Sequence, residues 1–68
     1  MQMTAILSSA PEGGYVAYNP ETGTTTQGES VEDALANLRE ATELFLEEVP
    51  RSSTAKAFIT TFDIPAHA

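Results

Sequence analysis

The chain has 68 residues, and its ten acidic and three basic side chains give a net charge of −7 at neutral pH. A chain of this length forms one domain, residues 1–68, and buries only about 60% of its unfolded surface, so a monomer is marginally stable. The absence of cysteine excludes disulfides and thiolate metal sites, and we therefore expect self-association into a dimer or tetramer. The acidity opposes direct binding of nucleic acid and favours a basic partner.

The N-terminus does not resemble a targeting signal. It begins Met1-Gln2-Met3-Thr4, without a basic stretch or a following hydrophobic core. The apolar runs are only a few residues long, too short to cross a bilayer. We expect a cytoplasmic protein without membrane contact.

Two strands joined by a glycine turn are predicted first. Met3, Ala5 and Leu7 alternate with Thr4, Ile6 and Ser8, which suits a first strand whose two faces are both partly covered, and Gly13-Gly14 permits a tight turn. The second strand is predicted from Tyr15 to Asn19, with Tyr15 and Ala17 on one face and Val16 and Tyr18 on the other. This pair forms an antiparallel hairpin.

A second reversal leads into a third strand. Pro20 presets the first central dihedral of a turn, and Gly23 can adopt a positive φ. The β-branched run Thr24-Thr25-Thr26-Gln27 then predicts a strand.

An acidic helix follows. Ser30 is the predicted N-cap, because its hydroxyl can accept a hydrogen bond from the backbone amide of Asp33. Pro50 is expected to stop the helix, and 51–54 to be a polar loop. The stripe expected to face the sheet comprises Val31, Leu35, Leu38, Thr42, Phe45 and Val49, with Ala34 and Ala41 beside it.

A final strand is predicted near the C-terminus. Phe58, Thr60, Phe62 and Ile64 share one face of it, and Ile59 and Asp63 share the other. The predicted fold is α+β, ordered β-β-β-α-β, with an antiparallel sheet covered on one face by one helix. Candidates for the uncovered face are Ile6, Tyr15, Ala17 and Ile59, and a dimer would bury it.

The order of these motifs resembles the N-terminal domain of the HicB-like antitoxin family, which has a partial ribonuclease-H-like fold. The resemblance covers Pro11 to about Glu48. The residues that carry it are Gly13-Gly14-Tyr15, Pro20-Glu21, Gln27-Gly28-Glu29-Ser30, Glu32-Asp33-Ala34-Leu35 and Glu40-Ala41. It departs from the family at Thr22-Gly23-Thr24, which is one residue shorter than the usual loop and lacks its cysteine. The chain ends at Ala68 without the usual DNA-binding segment, so direct transcriptional autoregulation is not expected.

The resemblance implies an antitoxin that binds and masks a small, basic, mRNA-cleaving HicA-like toxin. The helix carries acids in its second half, where the helix dipole disfavours them, so they do not serve helix stability. They form either a solvated surface or a docking surface for a basic protein. The residues expected to contact the partner are Arg39, Glu40, Glu43, Glu47, Glu48, Tyr15 and Tyr18. The alternative function is an orphan oligomeric scaffold of the same fold without a toxin, for which the two tyrosines are core or oligomer contacts.

The sequence predicts no enzyme, cofactor or metal site. His67 is the single histidine and lies at the C-terminus, so nucleophilic triads and zinc sites lack their parts. Gly13-Gly14 lacks the spacing and the following helix of a phosphate loop. A metal-dependent hydrolase using Glu32, Asp33 and Asp63 is the third hypothesis, ranked last because acids at a helix N-terminus are favoured by the dipole alone.

Overall fold

A three-stranded antiparallel sheet and one helix make up the fold. The computed structural model describes residues 1–48 and 57–66. The elements are β1 (Ile6–Ser9), β2 (Tyr15–Asn19), β3 (Thr24–Gly28) and α1 (Val31–Glu48), and the strand order is β1-β2-β3. The helix packs mainly over β3 and β2. The predicted α+β class, with one helix on one face of an antiparallel sheet, is confirmed.

Both predicted turns form through glycines with positive φ. Between β1 and β2, the Ala10 amide donates to the Gly14 carbonyl (3.0 Å) and the Gly13 amide donates to the Ala10 carbonyl (3.1 Å). Between β2 and β3, the Gly23 amide donates to the Asn19 carbonyl (2.8 Å), and Gly23 has a φ of 78°. These left-handed conformations favour glycine over residues that carry a Cβ atom.

Ser30 caps the helix as predicted. Its hydroxyl accepts from the Asp33 amide (3.0 Å), and its carbonyl accepts from the Ala34 amide (3.0 Å). The Thr26 hydroxyl donates to the Ala34 carbonyl (3.0 Å), which ties the first turn of the helix to β3. The helix start and the end of β3 are therefore one tightly joined unit.

The core is small. Its fully buried apolar residues are Ala17, Ala34 and Leu38. Along the helix, burial recurs at Ala34, Leu38 and Thr42, whereas Val31 and Leu35 are 39% and 44% exposed. Of the predicted stripe, Leu38 and Thr42 are therefore buried, whereas Val31 and Leu35 are only partly covered, and the helix packs mainly over β3 and β2.

The two sheet faces are also assigned differently from the prediction. Ala17 and Asn19 are buried beneath the helix, and Tyr15 shares their parity. The open face instead carries Ile6, which is paired with Tyr18 across the strands. Ile6 was therefore placed correctly, and Tyr15 and Ala17 were not, because alternation separates two faces without indicating which one meets the helix.

The predicted fourth strand is wrong for the described residues. Residues 57–66, which we call the C-terminal arm, contain no strand. Its large apolar side chains are exposed: Phe58 87%, Ile59 60%, Phe62 82% and Ile64 71%. Alternation indicates side chains that need burial, but a strand forms only where its backbone pairs with a sheet edge, and the arm pairs with neither edge of this sheet. The predictions for Val49, for Pro50, for 51–54 and for His67 lie outside the described residues.

Candidate functional site

The second half of the helix presents an exposed leucine among acids. Leu44 is 58% exposed, and Glu40 and Glu48 lie one helical turn before and after it. Glu47, three residues beyond Leu44, is exposed on the same side. We call Glu40, Leu44, Glu47 and Glu48 the acidic face. Within residues 1–48 and 57–66, no ion pair neutralises these carboxylates.

The structure divides the remaining predicted contact residues among other surfaces. Arg39 and Glu43 line a groove on the flank of the helix, away from Leu44. Tyr15 and Tyr18 lie on opposite faces of β2 and are 36% and 39% exposed. The seven residues therefore do not form one continuous surface. Sequence reasoning missed Leu44, whose position four residues from both Glu40 and Glu48 was the available signal.

The groove lies between the helix and the N-terminal part of the chain, and we call it the helix groove. Its volume is about 800 Å³. It is mostly apolar, and its walls include Met1, Met3, Thr4, Ala5, Asn19, Glu32, Leu35, Ala36, Leu38, Arg39, Thr42, Glu43 and Leu46. Its N-terminal wall is formed by residues that precede β1, and the helix itself packs mainly over β3 and β2.

Thr42 lies at the floor of the helix groove and carries a buried hydroxyl group. The side chain is 6% exposed, and its hydroxyl lacks a hydrogen-bond partner in the described part of the chain. A buried hydroxyl without a partner costs free energy, because it has left water without replacing the bond. An acceptor that received a hydrogen bond from this hydroxyl would remove that cost.

Thr42→Val is expected to stabilise the isolated chain by about 1 kcal/mol, because a methyl group replaces the unpaired hydroxyl at similar volume. The free energy of unfolding in urea measures the change. Thr25→Val is the matched control, since Thr25 is exposed on β3 and its change should stay within about 0.5 kcal/mol. A loss of stability in Thr42→Val would show that the hydroxyl is satisfied in solution.

A second polar constellation, the Glu21 cluster, ties the N-terminal segment to the β2–β3 turn. The Glu21 carboxylate accepts from the Thr4 amide (2.9 Å), the Thr4 hydroxyl (2.9 Å) and the Asn19 side-chain amide (2.6 Å). The Asn19 side-chain amide also donates to the Thr4 carbonyl (2.7 Å), and the Asn19 side-chain oxygen accepts from the Thr22 amide (2.9 Å). The Ala57 amide donates to Glu21 as well (3.4 Å), which places the root of the C-terminal arm here.

These bonds determine the protonation state of Glu21. Desolvation raises the pKa of its carboxyl group, but the hydrogen bonds from Thr4, Ala57 and Asn19 outweigh it and lower the pKa to about 2. Glu21 is therefore ionised throughout the physiological pH range. The hydrogen bonds of the Glu21 cluster hold the backbone at Thr4, Thr22 and Ala57 in place, so its role is structural.

The three carboxylates considered for metal-dependent hydrolysis do not form one cluster. Glu32 and Asp33 lie in the first turn of the helix, whereas Asp63 lies in the C-terminal arm. Residues 1–48 and 57–66 contain no group of three or more His, Cys, Asp or Glu side chains close enough to hold a metal ion. In the same two ranges, no helix has the length and apolar character needed to span a bilayer.

The fold and composition define a small acidic α+β protein. Compared with known proteins, the chain is 36% identical over 69 residues to the UPF0150 protein ssl0738 of Synechocystis sp. (strain ATCC 27184 / PCC 6803 / Kazusa). The match covers 94% of this chain and 96% of the relative. The chain belongs to the UPF0150 family. No protein-family profile matches it, and no solved structure does.

Proposed function

We propose that this protein is a cytoplasmic, HicB-like antitoxin that binds and masks a small, basic, mRNA-cleaving toxin of the HicA type. The observation that carries the proposal is the acidic face, on which Leu44 is exposed among Glu40, Glu47 and Glu48. The motif order of the hairpin and the helix cap supports the family assignment.

The acidic face has the two components of a fast and specific protein contact. The unpaired carboxylates attract a basic surface and raise the rate of encounter, an effect that weakens with salt. Leu44 supplies an apolar contact that leaves water on binding and slows dissociation. The toxin loses access to RNA because the same cationic surface is occupied by carboxylates instead of phosphates.

Reversing charge on the acidic face is expected to abolish masking. Glu40→Lys/Glu47→Lys should weaken binding to the basic protein encoded beside this chain by about 100-fold at low ionic strength, because like charges then oppose each other. Leu44→Ser should raise the dissociation rate about tenfold with little effect on association. Co-purification, surface plasmon resonance and relief of RNA cleavage measure these effects.

The matched control is Glu12→Lys/Glu29→Lys, two exposed positions outside the acidic face. Each Glu→Lys change raises the net charge by two, so both double variants move the net charge from −7 to −3. The control should retain most of the affinity. Equal losses in both double variants would show that net charge alone acts, and failure of the wild-type chain to bind or inhibit any such neighbour would refute the antitoxin proposal.

The exposed C-terminal arm favours a second candidate, an oligomeric scaffold of the same fold without a toxin. It predicts assembly that is unaffected by Glu40→Lys/Glu47→Lys. Sedimentation of that variant, together with the binding assay above, separates the two functions.

A further inference from the structure

The C-terminal arm exposes a row of large apolar side chains. Phe58 and Phe62 are more than 80% exposed, and Ile64 is 71% exposed. The radius of gyration is 14.3 Å, whereas a compact chain of this length would have about 11 Å. Monomeric proteins rarely expose apolar side chains in a contiguous row, so this row indicates an interface.

The body of the same molecule carries a complementary acceptor. β1 is an edge of the sheet, and within the described residues its outer side pairs with no strand. The helix groove reaches Met3, Thr4 and Ala5, the residues that lead into β1, with Leu35 on its opposite wall. The Thr42 hydroxyl, which has no hydrogen-bond partner among the described residues, lies at its floor. A free strand edge beside an apolar groove is suited to receive one more extended segment.

We propose that two copies of this chain exchange their C-terminal arms, each arm lying along β1 and over the helix groove of the other copy. Phe58, Phe62 and Ile64 share one parity and face the groove, while the arm backbone pairs with the β1 edge. The inference does not depend on the antitoxin proposal.

The root of the arm explains why the acceptor is a second copy. The Ala57 amide donates to Glu21, and the Ala57 carbonyl accepts from the Thr4 hydroxyl (3.2 Å), so the arm starts fixed to its own body. Immediately beyond this anchor, Phe58 lies beside Met3 and Thr4 but is 87% exposed, and no residue of the arm lines the helix groove of its own body. A partner related by a twofold axis offers the same edge and groove to it.

The area is sufficient for a stable dimer. Each phenylalanine buries about 150–250 Å², so the four from Phe58 and Phe62 of two copies contribute roughly 600–1,000 Å². The groove surfaces that they cover bring the total to the about 1,200–2,000 Å² of a standard interface. Within residues 1–48 and 57–66 the buried apolar core comprises Ala17, Ala34 and Leu38, so burial at a dimer interface would add substantially to stability.

The experiment compares the masses of three variants by sedimentation and light scattering. The wild-type chain should have twice the mass of one chain, with a dissociation constant in the micromolar range or below, about 1 µM. Phe58→Ser/Phe62→Ser removes the inserted side chains, and Leu35→Glu blocks the groove; each should be monomeric and retain the helix signal in circular dichroism. Ile59→Ser, on the other side of the arm, is the control and should dimerise.

Mixing the two monomeric variants tests exchange directly. One retains an intact groove and the other an intact arm, so the mixture should form a heterodimer held by one arm instead of two, at least tenfold weaker than the wild type. No heterodimer, or a Phe58→Ser/Phe62→Ser variant that still dimerises, would overturn the proposal. A monomeric wild type whose stability falls in that variant would also overturn it, because the arm would then occupy its own groove.

Discussion

Gly28→Ala is expected to unfold a large fraction of the protein. A Cβ atom at Gly28 would lie 2.7 Å from the Asp33 carbonyl carbon and 2.8 Å from the Ala34 Cα, with the Ala34 amide nitrogen closer still. These are backbone atoms in the capped first turn of the helix, so no side-chain rotation relieves the overlap. We expect a loss of about 3 kcal/mol or more, a large part of the roughly 3–10 kcal/mol available to a chain of this size.

Thermal unfolding measures the effect, and the expected fall in Tm exceeds about 10 °C. Gly23→Ala is the matched control: its added Cβ would meet nothing within 4 Å, but the φ of 78° is unfavourable for alanine. That variant should lose only about 1–2 kcal/mol from backbone strain. Equal losses in the two variants would show that helix and strand separate easily enough to accommodate a methyl group.

Features that depend on neighbouring residues were predictable from the sequence. The Ser30 cap needs only a hydroxyl three residues before an amide, and the turns at Gly13-Gly14 and Gly23 need only a residue that accepts positive φ. β2 was predicted with its observed bounds, Tyr15–Asn19. The acidity of Glu40, Glu47 and Glu48 was equally visible, since their exposure follows from helical spacing.

Features that depend on distant segments were not predictable in this way. Whether Ala17 or Val16 meets the helix depends on how the helix crosses the sheet, which alternation does not encode. The Glu21 cluster joins residues 17 and 36 positions apart in the chain, so no local pattern indicates it. The arm was predicted as a strand because its pattern is that of a strand, but its backbone pairs with neither edge of the chain's own sheet in this structure.

Glu21→Gln is expected to destabilise the protein at neutral pH and to do so less in acid. The carboxylate accepts hydrogen bonds from Thr4, Asn19 and Ala57. The glutamine side chain carries an NH2 group in place of one oxygen, so its N–H donors would face N–H or O–H donors of these residues. Hydrogen bonds to a charged group contribute about 1.5–3 kcal/mol, and partial exposure reduces this, so we expect a loss of about 1–2 kcal/mol at pH 7.

The pH dependence distinguishes the charge from the shape of the side chain. The pKa of Glu21 is lowered from 4.5 to about 2 in the folded protein. A depressed pKa gives stability that is fully present above about pH 4.5 and is lost as the pH falls through about 2, because the proton then binds the folded state too. The difference between wild type and Glu21→Gln in urea unfolding should therefore be constant above pH 5 and shrink between pH 4.5 and 2. Glu12→Gln is the control: Glu12 is exposed between β1 and β2, and its replacement should leave the free energy of unfolding almost unchanged. A Glu21→Gln loss that persists unchanged at pH 2 would mean that packing, and not the ionised carboxylate, holds Thr4 and Ala57 together.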